Sequence, residues 1–410
     1  MDLLPILHTL KRHKTAAGLI VVQIALTCAI VCNALFLVSQ RVEAINAPTG
    51  MPDNELLVLG VTGLARGENP VPQTQADLAA LRAIPGVKSV VNINQMPFGD
   101  DSDNSGVRLD PDENTKPQFG AATYYAGEGW LETLGLHLVE GRDFVPSEYV
   151  EGSQAFEQEN PDIPAVIVNR AAAEKLFPGE SALGKQIYVF GTKPHRIVGV
   201  VETLIHPYPS FNSQDDNQRY TVLAPARPSW RGGAYMLRVD PARRETVLKA
   251  AAKALDEGSV GVKRIVRRQK LFADMRSDYY RADRTMVWLL CAVCAAMLVV
   301  TAFGIVGLAS FWVEQRTRMI GTRRALGATR GQILRYFQTE NFLLSGIGIA
   351  LGCGAAWVLS LVLMQQYELP RLPAYYLPAG AAILWALGQI AVWAPARRAS
   401  LISPVEALRG

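Results

Sequence analysis

Charged residues are missing from four long windows. Thr15–Gln40, Thr285–Val313, Asn341–Tyr367 and Leu372–Ala396 contain no Asp, Glu, Lys or Arg. Each window exceeds the roughly 20 apolar residues that span a hydrocarbon core, which excludes a wholly water-soluble chain. The 41 basic and 37 acidic residues therefore crowd into about three quarters of the 410 residues, a part whose composition is that of an ordinary soluble protein. A net charge of only +4 argues against nucleic acid as a partner. A hydrophobic share of 49% excludes intrinsic disorder.

Cysteine is also missing outside those windows. Cys28, Cys32, Cys291, Cys294 and Cys353 all lie within them, so no disulfide can staple the polar part. Cys291 and Cys294 form a C-x-x-C inside an apolar helix, where they read as two small apolar residues. There is no H-E-x-x-H, no G-x-S-x-G and no zinc-spaced Cys/His cluster. Gly179–Lys185 fits the first seven places of a phosphate-binding loop, but Gln186 lacks the hydroxyl that would hold magnesium. The segment also follows a helix and precedes a strand, the reverse of the required order. No metal or cofactor is expected in this chain, and no catalysis by it.

The windows predict four membrane spans: 15–40, 285–313, 341–367 and 372–396. The first is too long in its apolar core for a cleaved signal peptide. Segments 1–14, 314–340 and 397–410 carry charges of +2, +4 and +2, which leaves −4 for the rest. By the positive-inside rule, these three basic segments and both termini are expected in the cytoplasm. A domain at 41–262 is then expected outside, between the first span and the other three. The fold class is thus a membrane protein of four transmembrane α-helices, one plus three, with a large α+β extracytoplasmic domain between the first and second.

Within that domain Asn54–Val61, Val87–Ile93, Ala165–Asn169, Gln186–Phe190, His195–Val201 and Tyr235–Val239 read as strands. Thr74–Ile84, capped by Thr74, Arg170–Phe177 and Ala242–Asp256 read as helices. The acidic stretches 99–118 and 146–164 read as surface inserts. No Gly or Pro interrupts Lys263–Phe303. Phe272, Met275, Tyr279, Ala282 and Met286 recur there at heptad spacing. This predicts one unbroken helix, with 263–284 as a stalk reaching from the second span, about 70 Å long from Arg267 to Val313. Val38, Val42 and Ile45 extend the first span as a candidate partner. The same spacing also suits an amphipathic helix packed on its own domain.

The 314–340 loop holds six arginines. Met319–Leu326 predicts a short helix with Ile320 and Leu326 on one side, Arg323 and Arg324 on another, and Gly327 as its stop. Positive-inside bias and contact with anionic lipid account for the arginines equally well. In the tail, Ser403 as N-cap, Pro404 at the first helical position and Glu406 three residues after the cap form a capping box. Gly348 and Gly352 form a small-xxx-small pair in the third span. It suits tight packing within one subunit or a dimer face.

The run Ile320–Ile333 (IGTRRALGATRGQI) resembles the loop of MacB/FtsX-type ABC transporter permeases, and the tail Pro395–Leu408 resembles their C-terminal signature. The middle of the chain agrees at Leu134-Gly, Glu140–Phe144, Asn169, Leu176-Phe177, Leu183–Lys185 and Val198–Val201. The resemblance implies that Met319, Ile320, Gly321, Arg323, Arg324, Ala325, Leu326 and Gly327 form a coupling helix that docks on a nucleotide-binding subunit. It implies a MacB-like periplasmic core domain in an inner-membrane protein. It also implies a second permease chain as dimer partner, ATP and Mg bound by a separate ABC ATPase subunit, and motion passed outward without cargo crossing the bilayer core. The expected activity is efflux of drugs, peptides or lipoproteins, in the family often with a periplasmic adaptor and an outer-membrane channel. An alternative is a membrane signalling or regulatory protein whose external domain senses a ligand or activates a periplasmic enzyme. A third is an anchored periplasmic enzyme with no ATPase.

Overall fold

The charge-free windows lie in four long helices of the computed structural model, the last window except for its first four residues; the structure describes residues 14–63, 69–99, 102–158, 160–209, 219–229, 231, 233–259, 264–367 and 371–402. In chain order the elements are α1 (Lys14–Asn46), β1 (Leu56–Gly63), α2 (Val71–Arg82), β2 (Val87–Ile93), β3 (Asn104–Val107), β4 (Phe119–Tyr125), α3 (Trp130–Leu134) and β5 (Leu138–Gly141). Then come β6 (Val150–Glu151), α4 (Gly152–Ala155), β7 (Ala165–Asn169), α5 (Arg170–Leu176), β8 (Gln186–Ile187), β9 (His195–Val201), β10 (Thr221–Ala224), β11 (Ala226–Arg227) and β12 (Ala234–Val239). The remainder is α6 (Arg244–Glu257), β13 (Arg264–Leu271), α7 (Phe272–Tyr279), α8 (Arg281–Gln315), α9 (Thr317–Ala325), α10 (Arg330–Tyr367) and α11 (Tyr376–Leu401). Helices α1, α8, α10 and α11 are long and apolar enough to cross a membrane. The chain divides into two compact units, residues 44–282 and the helical remainder.

The inserted unit is layered, and strand alternation explains why. In β1, Leu57, Leu59 and Val61 face one way, onto Leu81 of α2 and Val247, Ala251 and Leu255 of α6. Leu56 and Val58 face the other, into a core shared with Tyr124 of β4, Ile167 of β7, Leu223 of β10 and Trp130. That core lies between two sheets. One is antiparallel with strand order β13-β1-β12-β2. The other is mixed, ordered β3-β4-β10-β7-β9-β5 with β8 paired to β9. A third core covers the far face of the mixed sheet, with Ala172, Ala173 and Leu176 of α5.

Several sequence expectations need correction. Thr74 does not cap its helix, which begins at Val71 with proline in its first turn; the Thr74 hydroxyl instead donates to the Pro70 carbonyl at 2.8 Å. The 99–118 insert contains a strand, because Asn104–Val107 pairs with β4. The continuous rod over 263–284 is overturned. Arg264–Leu271 is an edge strand laddered to β1 from Leu57↔Leu271 to Gly63↔Arg264, so long-range pairing overrides local helix preference. Phe272 and Met275 of α7 are buried in the inter-sheet core, and Tyr279 packs against it. The helix ends at Tyr280, whose buried ring meets Phe98. Ala282 and Met286 are exposed, so the five do not share one buried stripe. Ile45 also packs on the inter-sheet core, whereas Val42 is exposed.

In the helical unit Gly348 and Gly352 sit where two helices approach closely. A Cβ on Gly352 would lie 2.5 Å from the Cys28 Cβ of α1, and one on Gly348 would lie 2.8 Å from Ile24. The Gly348/Gly352 pair therefore serves packing of α10 against α1 within the subunit. Thr27 and Thr301 hydrogen-bond at 2.8 Å between α1 and α8, and Asn33 reaches the Ala356 carbonyl of α10 at 3.1 Å.

Candidate coupling site

Helix α9 is set at the arginine-rich turn by two local signals. Its end is a Schellman motif: the Gly327 N–H donates to the Arg324 carbonyl (3.1 Å) and the Ala328 N–H to the Arg323 carbonyl (3.0 Å). Gly327 has φ +97°, a conformation that disfavours any side chain. Then α10 begins with a reciprocal cap. The Gln332 N–H donates to the Thr329 hydroxyl at 3.3 Å, and the Thr329 N–H to the Gln332 side-chain oxygen at 2.9 Å. Only two residues separate the caps, so α9 and α10 are tied by a tight turn.

Three side chains fasten α9 and its flanks to the bundle. Arg316, at the α8–α9 junction, forms an ion pair with Glu340 of α10, its Nη1 donating to both carboxylate oxygens at 2.7 and 3.0 Å. Glu340 is 1% exposed and Arg316 9%. The guanidinium also lies 5.2 Å from the Trp312 ring, which suits a weakly hydrated planar cation. Arg324 donates to the Ser400 carbonyl at the end of α11, at 2.5 Å. Arg323 lies 5.0 Å from the Tyr336 ring of α10. Ile320 and Gly321 are buried beneath the helix.

Arg318, Met319, Thr322, Ala325 and Leu326 are exposed, at spacings that place them on one helical face. Leu326 is 83% exposed. The expected pairing of Ile320 with Leu326 on one side is therefore corrected. Leu326 is the C-cap, one residue beyond the last helical position, and points away while Ile320 packs inward.

The structure thus brings seven of the eight loop residues, Met319 to Leu326, onto one short helix or its cap; Ile320 and Gly321 form the buried side and Gly327 the stop. Sequence reasoning missed Glu340 and the Arg316 pair, because only the tertiary fold joins positions on separate helices. The Thr329/Gln332 box carried a readable T-x-x-Q signal. The tail cap of Ser403, Pro404 and Glu406 lies outside the described residues. Among the described residues no group of three His, Cys, Asp or Glu is placed to hold a metal.

Comparison with known proteins bears on both units. The family profile for the MacB-like periplasmic core domain matches residues 19–256, and that for the FtsX-like permease C-terminal region matches 292–404, which includes α9. The ABC transporter permease YknZ of Bacillus subtilis is 24% identical over 343 residues, covering 82% of this chain and 79% of that protein. The macrolide export ATP-binding/permease protein MacB of Agrobacterium fabrum is 28% identical over 293 residues, covering 69% of this chain but only 42% of its own length. The solved periplasmic region of MacB from Actinobacillus actinomycetemcomitans aligns with 55% of this chain and 94% of its own, at 17% identity and a TM-score of 0.34. The profile matches and the one-plus-three arrangement of apolar helices around an α+β insert place this chain in the MacB/FtsX-type family of ABC transporter permeases.

Proposed function

We propose that the chain is the permease subunit of a MacB-like transporter that passes ATP-driven motion of a separate ATPase subunit to the inserted domain. On this reading both termini and α9 face the cytoplasm and the α+β unit faces the periplasm. ATP and magnesium are bound by the partner. The cargo class is drugs, peptides or lipoproteins taken from the periplasmic side, and two permease chains act together. The observation that carries the reading is the face of α9. Met319 and Leu326 are presented outward on a helix that is anchored, with its flank, to α10 and α11 through Arg316, Arg323 and Arg324. A push on such a helix moves the bundle instead of bending a loop.

The test is purification in mild detergent with mass spectrometry of the co-purifying chains, followed by ATPase assay of wild type and Leu326→Asp. An ATPase should accompany the wild type, and the aspartate should reduce its retention at least about tenfold by desolvating a charge in the groove. Absence of any nucleotide-hydrolysing partner would reject the reading. Unchanged drug and peptide sensitivity in a deletion strain would redirect it towards signalling.

A further inference from the structure

The chain passes between its two units twice, near the end of α1 and just before the start of α8. The second crossing is not one continuous helix: α7 stops at Tyr279, and Tyr280 separates it from α8. A break between helices lets one end move without the other unless something braces it.

Arg276, in the middle of α7, is placed as such a brace. Its Nη2 donates to the Ile45 carbonyl at 2.8 Å and to the Ala47 carbonyl at 2.7 Å, and its Nη1 to the Asp53 carboxylate at 2.6 Å. The last carbonyls of a helix have no partner within it, and a cation beside them is favourable. The last turn of α1 carries no basic residue of its own, and Arg276 brings one from 231 positions along the chain. Asp53 is fixed in turn by the Thr49 hydroxyl at 2.6 Å. The Arg276 and Asp53 side chains are only 21% and 18% exposed, so solvent screens the pair less than at an open surface. Phe272 and Met275 of α7 are buried in the inter-sheet core, and Ala44 and Ile45 pack on that same core. Arg276 therefore joins the exit of α1 to α7 over a shared base. Within the helical unit, Arg41 of α1 and Asp283 of α8 pair the same two chain segments.

We propose that Arg276 is a positioning residue that locks the exit of α1 to α7, so that both crossings carry the inserted unit as one body. This rests on the transport reading and adds to it the residue on which transmission turns. The complex of the full chain with its ATPase, in lipid nanodiscs, is followed by hydrogen–deuterium exchange over residues 44–282 with and without ATP plus vanadate. Wild type should show a nucleotide-dependent exchange difference in the inserted unit. Arg276→Gln should shrink that difference roughly fivefold or more, while assembly, ATP hydrolysis and the unfolding transition of the inserted unit persist. Arg276→Lys should restore part of it, because it keeps the charge and loses the planar fork. Asp53→Asn, which weakens one arm of the clamp, should give an intermediate loss and carries the test if Arg276→Gln does not fold. An undiminished difference in a folded Arg276→Gln complex overturns the proposal and leaves the transport reading standing. Loss of the inserted unit's fold in both Arg276→Gln and Asp53→Asn also overturns it, since the contact is then structural only. A wild-type chain with no ATPase partner rejects the transport reading and the proposal with it.

Discussion

Arg316 and Glu340 illustrate what one residue pair decides. Both are buried in a mainly apolar bundle, where an unmatched charge is costly. Glu340→Gln should therefore destabilise the helical unit by about 3–5 kcal/mol, measured as a lowered unfolding midpoint in detergent, and the Arg316→Met/Glu340→Leu double variant should recover most of the loss. His195 gives a pH prediction for the inserted unit. Its Nδ1–H donates to the Ile163 carbonyl at 2.6 Å while Nε2 accepts the Phe190 N–H at 3.3 Å, which requires the neutral ring. Burial lowers its pKa below the usual value of about 6.5. The unfolded chain thus takes the proton first as pH falls. The stability contribution is complete above about pH 6.5 and is lost as pH drops through the depressed folded value. A glutamine in its place should flatten that part of the pH–stability curve, read by chemical denaturation between pH 7.5 and 5. Neither role was legible: Glu340 read as the edge of a loop and His195 as the first residue of a strand.

At the scale of elements, the readable ones carry their signal locally. Val87–Ile93 and His195–Val201 alternate or run in β-branched residues, and both are strands with the expected bounds. Arg264–Leu271 is the counterexample. Its sequence RIVRRQKL is charged and lacks Gly and Pro, so it reads as helix, yet it closes the edge of the antiparallel sheet. Arg264 turns inward and meets Asp77 of α2 at 2.5 and 2.7 Å, and Tyr235 donates to the same carboxylate at 2.5 Å. Asp77→Ala should cost about 3–5 kcal/mol by stranding that guanidinium, with the α2–β13 region the first to gain hydrogen exchange. For α9 the deciding element is its stop. Gly327→Val forces a branched residue into positive φ and should cost about 1–2 kcal/mol, while loosening ATPase coupling more than expression.

At the scale of the molecule, the two units hold separate cores among the described residues, two among the helices and three across the sheets. Gly352→Leu should separate α10 from α1 and lower the unfolding transition of the helical unit alone, leaving that of the inserted unit in place, as differential scanning calorimetry would resolve. One shared shift in both transitions would contradict the division. The same variant tests the packing reading of the glycine pair, since a subunit-internal contact disturbs the monomer itself.

Composition alone determined that four segments belong in lipid and that the polar remainder forms an α+β insert after the first of them. Hydrocarbon thickness and strand alternation are local constraints, written in runs of neighbouring residues. Tertiary structure decided what depends on distant partners. It made the edge strand out of an arginine run and turned a heptad-like series into core contacts. It also clamped α9 through pairs 24 and 76 residues apart. Such contacts leave no periodic trace in the chain, because a buried charge is specified by whatever the fold places opposite it.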